Sequence, residues 1–282
     1  MVHLKDLQIY TNTHCNLKCV ECMYHSQFEH IDVYSYFEFD HDITLTKSLF
    51  SFETAILIGG EPLLNKELPS FANKLKSSGC CQSVQINTNG ILIESFDESL
   101  YKNVDRIVIS KYPLQQKLED KILSGIEYLK RFDHIKIEIL NTNDFLRTTK
   151  LKKSDELITQ KIWNNCTCGL NSKYGMNGTL YNGKFYRCVL SFMKPRFLNH
   201  MKVETDLVES NYISLTTDVS SDQFETFFMN KSPLDACYWC MGCNGTKVDH
   251  KQIKSIDELN ISTDDHLDFN YQFIKDRDIK RS

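Results

Sequence analysis

The sequence predicts an α/β fold, a mostly parallel sheet curled into an open barrel, with a smaller cysteine-rich domain after it. Three observations carry this. Short β-prone runs alternate with helical apolar periods, the chemically informative residues fall just beyond those runs, and the chain turns rich in Cys, Gly and turn signals past residue 153.

Leu7 to Tyr10, Ala55 to Ile58, Ser83 to Asn87, Arg106 to Ser110 and Ile135 to Leu140 each end in turn chemistry and give five strands. Between them, Leu68, Phe71 and Leu75 recur at helical spacing, as do Leu118, Ile122, Ile126, Leu129 and Phe132. Such alternation makes the sheet parallel and its crossovers right-handed. Ligands then gather beyond the carboxyl ends of the strands, where this chain carries Thr11 to Cys22, Gly59 to Pro62, Thr88 to Gly90 and Ser110 to Pro113. Gln8 and Tyr10, Gln85 and Asn87, and Lys136 and Glu138 interleave with apolar neighbours, so one face of three strands is polar. We read that face as the lining of the barrel; edge positions facing solvent are the competing reading.

The charged stretch Leu151-Lys152-Lys153-Ser154-Asp155-Glu156 divides the chain into 1–153, 154–245 and a remainder, 246–282. In the second part, Thr179 to Tyr181 and Lys184 to Arg187 flank Asn182-Gly183, a type I′ hairpin signal. The remainder has weak apolar periodicity at Ile253, Ile256, Leu259 and Ile261, which suits a tail or a covering helix.

Composition narrows the function. The 282 residues can bury a real core, and with 41% hydrophobic and 25% charged residues the chain reads as an ordinary globular protein. No apolar run approaches the roughly 18 residues of a spanning helix, and the N-terminus lacks secretory features, so a cytoplasmic location is expected. The net charge of −4, from 33 basic and 37 acidic residues without a basic block, disfavours nucleic acid or an anionic membrane as partner. Eleven cysteines are unusual where thiols are kept reduced, and their grouping suggests metal.

Cys15, Cys19 and Cys22 lie within eight residues, directly after the first strand. Three thiolates at this spacing can hold three irons of a 4Fe-4S cubane and leave the fourth open. The rival is structural zinc closed by His14 or His25. Gly59-Gly60-Glu61-Pro62 follows the second strand: the glycines permit close backbone approach, Glu61 offers an acceptor to an ammonium, and Pro62 fixes the turn. Thr88-Asn89-Gly90 follows the third strand and Ser110-Lys111 the fourth.

Together these motifs resemble the radical S-adenosylmethionine (SAM) superfamily. The resemblance implies a partial (β/α)6 TIM-like barrel over 1–153, with Cys15, Cys19 and Cys22 on the cluster. It further implies Gly59, Gly60, Glu61 and Pro62 at the SAM amino group, and Asn87, Asn89, Ser110 and Lys111 among the other SAM contacts. The position before the third cysteine is usually aromatic in that family and is Glu21 here, which leaves Tyr24 as the candidate to seat the adenine. SAM and an electron donor such as flavodoxin or ferredoxin are the partners implied.

Downstream, Cys168, Gly183 and Cys188 resemble the opening of the Twitch/SPASM auxiliary-cluster domains, and Cys237-Tyr238-Trp239-Cys240-Met241-Gly242-Cys243 adds Cys-x2-Cys-x2-Cys. The resemblance implies one auxiliary 4Fe-4S cluster in a Twitch/SPASM-like domain over 154–245, on Cys168, Cys188, Cys237 and Cys240, with Cys243 the alternative and Cys166 less favoured. A zinc ribbon is the competing reading, although Cys166-x-Cys168 is not a zinc knuckle. Cys80-Cys81 is read as ordinary thiols.

The superfamily does not name the reaction. Polar barrel walls suit oxidation of a carbohydrate or aminocyclitol alcohol, with Lys136, Glu138 or Arg147 assisting deprotonation. Modification of a peptide, by epimerisation or cross-linking, is the alternative, with Cys243 or Cys166 as hydrogen donor. A molybdenum-cofactor cyclase is disfavoured because Lys280-Arg281-Ser282 is not a terminal diglycine, and a glycyl-radical activase because its extra clusters follow soon after the first motif. A zinc-binding scaffold that docks a partner through Trp239 is the non-enzymatic reading.

Overall fold

A computed structural model of the chain describes residues 1–27, 31–166, 177–255 and 258–259. The first part alternates as expected: β1 (Val2–Tyr10), α1 (Tyr36–Thr46), β2 (Phe50–Ile58), α2 (Leu68–Ser78), β3 (Ser83–Thr88), β4 (Arg106–Lys111), α3 (Gln116–Leu129) and β5 (Lys136–Asn141). Neighbours among these five strands pair in parallel. The α/β reading therefore holds. The sequence reading omits α1, whose start is set by a capping box: Ser35 Oγ accepts from the Glu38 amide, and the Glu38 carboxylate accepts from the Ser35 amide. Phe132, counted with α3, falls beyond its end.

Strand register sorts the side chains into two faces. Ile9, Leu57, Ile86, Ile107 and Ile137 form one aligned row across β1 to β5. They join a single core with Phe39 and Ile43 of α1, Phe71 and Leu75 of α2, and Ile122 and Leu129 of α3. Burial of this apolar face, at roughly 25 cal/mol per Å² removed from water, is what fixes the register. One residue along, the opposite face carries the row Gln8, Ile56, Gln85, Arg106, Lys136, which is polar at four of its five positions.

The second part adds β6 (Asp144–Leu146), α4 (Glu156–Asn165), β7 (Asn177–Tyr181), β8 (Lys184–Tyr186), α5 (Leu190–His200), β9 (Tyr212–Ser214), α6 (Ser221–Phe228) and β10 (Lys247–Asp249). The predicted hairpin is β7–β8, with Asn182 and Gly183 both at positive φ (49° and 73°), as a type I′ turn needs. It continues the main sheet, because β7 pairs in parallel with β1 and gives the order β5-β4-β3-β2-β1-β7-β8-β9. Thr179 sits opposite Gln8 and extends the polar row. Asp42 of α1 pins the turn by accepting from the Gly183 amide (2.6 Å) and from the Tyr34 hydroxyl. β6 and β10 pair antiparallel in a separate two-stranded sheet. Among the described residues no helix is long and apolar enough to cross a membrane.

Candidate functional site

β1 delivers the chain into a loop that carries Cys15, Cys19 and Cys22. Donors converge on one of these thiols: the Leu17 amide lies 3.3 Å from Cys15 Sγ, and Asn89 Nδ2 lies 3.8 Å from the same sulfur. Asn89 Nδ2 also donates to Asn16 Oδ1 at 2.7 Å. Burial pushes the Cys15 and Cys19 thiols up, as does repulsion from charged neighbours, with Cys22 a contributor at both. Burial raises Cys22 as well. Three thiolates held this way need positive charge among them, which a metal supplies by deprotonating its ligands outright. Donors aimed at sulfur suit that deprotonated state. The chemistry of the donor set therefore fits an iron-sulfur cubane. Among the described residues no three His, Cys, Asp or Glu side chains are drawn together as they would be around a bound metal ion. His25 is buried and stacked flat on Phe197, with ring centroids 4.1 Å apart.

The turn after β2 is zipped to the cysteine loop. The Gly60 amide donates to the Asn12 carbonyl and the Glu61 amide to the His14 carbonyl, each at 3.0 Å. Asn12 Nδ2 returns a bond to the Glu61 carbonyl at 2.9 Å. A Cβ on Gly60 would lie 2.0 Å from the His14 oxygen, and one on Gly59 would lie 2.4 Å from Asn12 Oδ1. The glycines are thus required first by the approach of the two loops. The Glu61 carboxylate is buried and accepts from Thr88 Oγ1 (2.6 Å), the Asn89 amide (2.8 Å) and the Leu63 amide (3.1 Å). Three of its roughly four acceptor positions are occupied. Burial outweighs these bonds and raises its pKa to about 7. Pro62 begins a 3₁₀ turn capped by Glu61.

A strap from the end of the chain covers the loop. The Val20 amide donates to the Lys251 carbonyl at 2.9 Å and the Ile253 amide to the Lys18 carbonyl at 3.0 Å. This sets His250 Nε2 3.2 Å from Cys19 Sγ, with its ring stacked against Tyr112 and Phe145. Beside it, Arg147 Nε bonds the buried Glu21 carboxylate at 3.0 Å, so Glu21 is committed to an ion pair at the position where the resembled family carries a ring.

A second group of thiols encloses a hollow of its own. Cys166, Cys188, Cys237, Cys240 and Cys243 line it together with Ile162, Trp163 and Leu234, and Cys166 Sγ is 3.9 Å from Cys243 Sγ. Cys168, expected among the ligands, lies outside the described residues. Helices α4 and α5 and the 3₁₀ turns at Asp235–Trp239 and Gly242–Asn244 supply these walls. No disulfide joins any described cysteine.

The other expected residues are dispersed. Glu138 pairs with Arg106 on the polar face, Lys136 is exposed, and Asn87 accepts from Gln85 at 2.7 Å. Ser110 shares the polar face, whereas Lys111, one residue on, points to the other and lines a surface pocket with Asn141 and Glu119. Tyr24 meets Tyr10 edge to face at 6.0 Å. His250, Asn12 and Asn16 escape the sequence reading. A lone histidine or asparagine on a loop carries no spacing signal, and His250 is brought in by pairing across more than two hundred residues.

No family model matches the chain. It is 30% identical over 136 residues to a probable GTP 3′,8-cyclase of Methanococcus aeolicus, covering 45% of this chain and 44% of that one. To a GTP 3′,8-cyclase of Campylobacter jejuni it is 29% identical over 168 residues, covering 54% and 50%. The chain thus spans about half the length of the curated relatives it matches. Among solved structures it is similar to BtrN in complex with AdoMet and 2-DOIA, with a TM-score of 0.49 and 15% identity over 94% of this chain and 99% of that one. It is also similar to Streptococcus suis SuiB bound to precursor peptide SuiA, with a TM-score of 0.38 and 18% identity over 49% of this chain and 33% of that one.

Proposed function

We propose that this radical SAM enzyme abstracts a hydrogen atom from, and so oxidises, a carbohydrate or aminocyclitol alcohol, with Cys15, Cys19 and Cys22 holding its 4Fe-4S cluster. When bound, the reduced cluster and SAM supply a 5′-deoxyadenosyl radical, and the protein's work is to place the target carbon and keep solvent away.

The observation that carries the reading is the pairing of a polar sheet face with a second thiol-lined hollow. Thr179, Gln8, Gln85 and Arg106 run across four strands on one face, with Asn87 and Glu138 one step nearer the strand ends. Such a surface offers donors and acceptors to several hydroxyls at once. Glu138, held by Arg106, can accept the proton that leaves a carbinol oxygen as its carbon is oxidised. The oxidation also releases an electron, for which the hollow bounded by Cys188, Cys237, Cys240 and Cys243 is the candidate reservoir once it holds an auxiliary cluster. On the SAM side, Gly59 and Gly60, with Asn89 beside Cys15, would border an amino acid that chelated the open iron.

A second reading, modification of a peptide, draws support from the thiol count. Five described thiols line a hollow in which a cubane takes four. With Cys168 the group numbers six, so beyond the expected ligands Cys168, Cys188, Cys237 and Cys240 there remain Cys166 and Cys243, either of which could return a hydrogen atom to a substrate radical.

Anaerobic reconstitution tests the first reading. About eight irons per chain and 5′-deoxyadenosine on reduction with SAM are expected from two cubanes. With a polyol deuterated at the carbinol carbon, deuterium should appear in the 5′-deoxyadenosine and the alcohol should become a carbonyl. Solvent deuterium fixed at carbon with no change of oxidation state would instead establish the peptide reading, and two zincs with no SAM cleavage would refute both.

A further inference from the structure

A backbone amide and an asparagine reach the sulfur of Cys15, whereas an aromatic ring reaches that of Cys19. The strap brackets Cys19 first with main chain. The Val20 amide donates to the Lys251 carbonyl, the Ile253 amide donates to the Lys18 carbonyl, and Cys19 pairs with Gln252 as an isolated antiparallel bridge. Two residues before Gln252, His250 presents Nε2 3.2 Å from Cys19 Sγ.

That ring has little freedom. It stacks against Tyr112 with centroids 5.1 Å apart and against Phe145 at 5.2 Å, and those two rings face each other at 5.4 Å. The His250 amide donates to the Asn143 carbonyl at 3.0 Å, and the three residues before it form β10, paired with β6. Sheet pairing, stacking and the bracket around Cys19 each hold a different part of the strap, so the nitrogen is aimed at the sulfur before any metal arrives. A phenylalanine would fill the same stack. What a histidine adds at this place is the nitrogen.

A sulfur bound to iron carries no hydrogen and can only accept, so the ring nitrogen that faces it carries one. A hydrogen bond to a ligand sulfur draws charge off a cluster and favours its reduced state, the more negative of the two.

We infer that His250 is a positioning residue of the first centre: it donates from Nε2 to the iron-bound sulfur of Cys19 and so raises that cluster's reduction potential. This rests on the reading of Cys15, Cys19 and Cys22 as cluster ligands. The residue acts through Cys19, on how readily the cluster takes up an electron.

The test uses the full chain, loaded anaerobically with iron and sulfide, and follows its clusters by electron paramagnetic resonance through a reductive titration. The signal that changes on addition of SAM belongs to the first centre, and the other signal is the internal control. His250→Phe keeps the stack and removes the donor. It should move the first midpoint to a more negative potential, by about a tenfold change in the oxidised-to-reduced ratio, or ~59 mV for one electron, and leave the second in place. His250→Gln returns an N–H to the position and should recover part of the shift. A first midpoint unchanged in His250→Phe would overturn the inference, as would equal shifts of both clusters or a His250→Gln midpoint no nearer the parent. Loss of the fold in His250→Phe would show a structural role and overturn it as well. A parent that assembles no cluster on its first three cysteines would overturn it too, and in that case the ligand reading itself is what fails.

Discussion

His250 Nε2 sits 3.2 Å from Cys19 Sγ, across 231 residues of sequence, and brings the strap against the first thiol group. Its ring is held by stacking with Tyr112 and Phe145 and its backbone by the Asn143 carbonyl. His250→Phe should keep the stack and lose the contact to sulfur. We expect stability within about 1 kcal/mol of the parent and slower alkylation of Cys19 in the metal-free protein, because no ring nitrogen then assists ionisation of the thiol; mass spectrometry follows it. His250→Ala should add the loss of the stack, costing about 2 kcal/mol more.

The contact between the two loops at Gly60 makes a second expectation. A methyl there would meet backbone atoms of His14 at 2.0 and 2.3 Å, and no flexible side chain is available to yield. Gly60→Ala should cost on the order of 3 kcal/mol in denaturant unfolding and should abolish iron uptake by the first three cysteines while leaving the second group loaded. Gly79→Ala, where an added Cβ meets nothing but φ is +62°, should cost only about 1 kcal/mol.

Breaking the ion pair of Glu21 and Arg147 exposes how much of the loop it holds. Glu21 is nearly buried and Arg147 about a third exposed, so part of the interaction is screened. Arg147→Met should destabilise by roughly 2 kcal/mol, because it strands a buried carboxylate, and adding Glu21→Gln should recover most of that. A double-mutant cycle by thermal melting measures the coupling. If the single change leaves the melt untouched, the pair holds nothing.

Glu61 gives the fold a pH signature. Its pKa rises from the ordinary 4.5 to about 7 in the folded chain, mainly through burial. The folded state therefore holds the proton more tightly than the unfolded one. The stability this contributes is full below about pH 4.5 and is lost as pH rises through 7, by on the order of 3 kcal/mol. Glu61→Gln should flatten that limb of the pH–stability profile, measured by urea unfolding at closely spaced pH values. A wild-type profile that climbs between pH 5 and 8, and climbs equally in the variant, would count against it.

Much of the architecture was legible because periodicity reports a two-faced sheet. The row Ile9, Leu57, Ile86, Ile107 and Ile137 and the polar row beside it both follow from alternation along single strands. The Asn182-Gly183 turn was legible for the same local reason, since only such residues tolerate two successive positive φ values. Long-range pairing is what one-dimensional patterns omit. The attachment of β7 to β1, the strap over Lys18 to Val20, and the commitment of Glu21 to Arg147 each join segments more than a hundred residues apart. The glycines after β2 were read as room for a ligand. The structure adds that they are room for the neighbouring loop, a distinction that needs the third dimension.

The strap also orders events in time. During synthesis the first thiols emerge within the opening two dozen residues, yet β7, the neighbour that closes the other edge of β1, lies at Asn177–Tyr181, and the cover over Cys19 lies at Lys247–Ile253. Contacts of such sequence separation form late, since loop closure must come before they stabilise anything. Until Asn177–Tyr181 has been made one edge of β1 is unpaired, and until Lys247–Ile253 has been made the cover over Cys19 is missing. The first three thiols therefore lack this cover until the strap has been made, an interval in which oxidation can reach them.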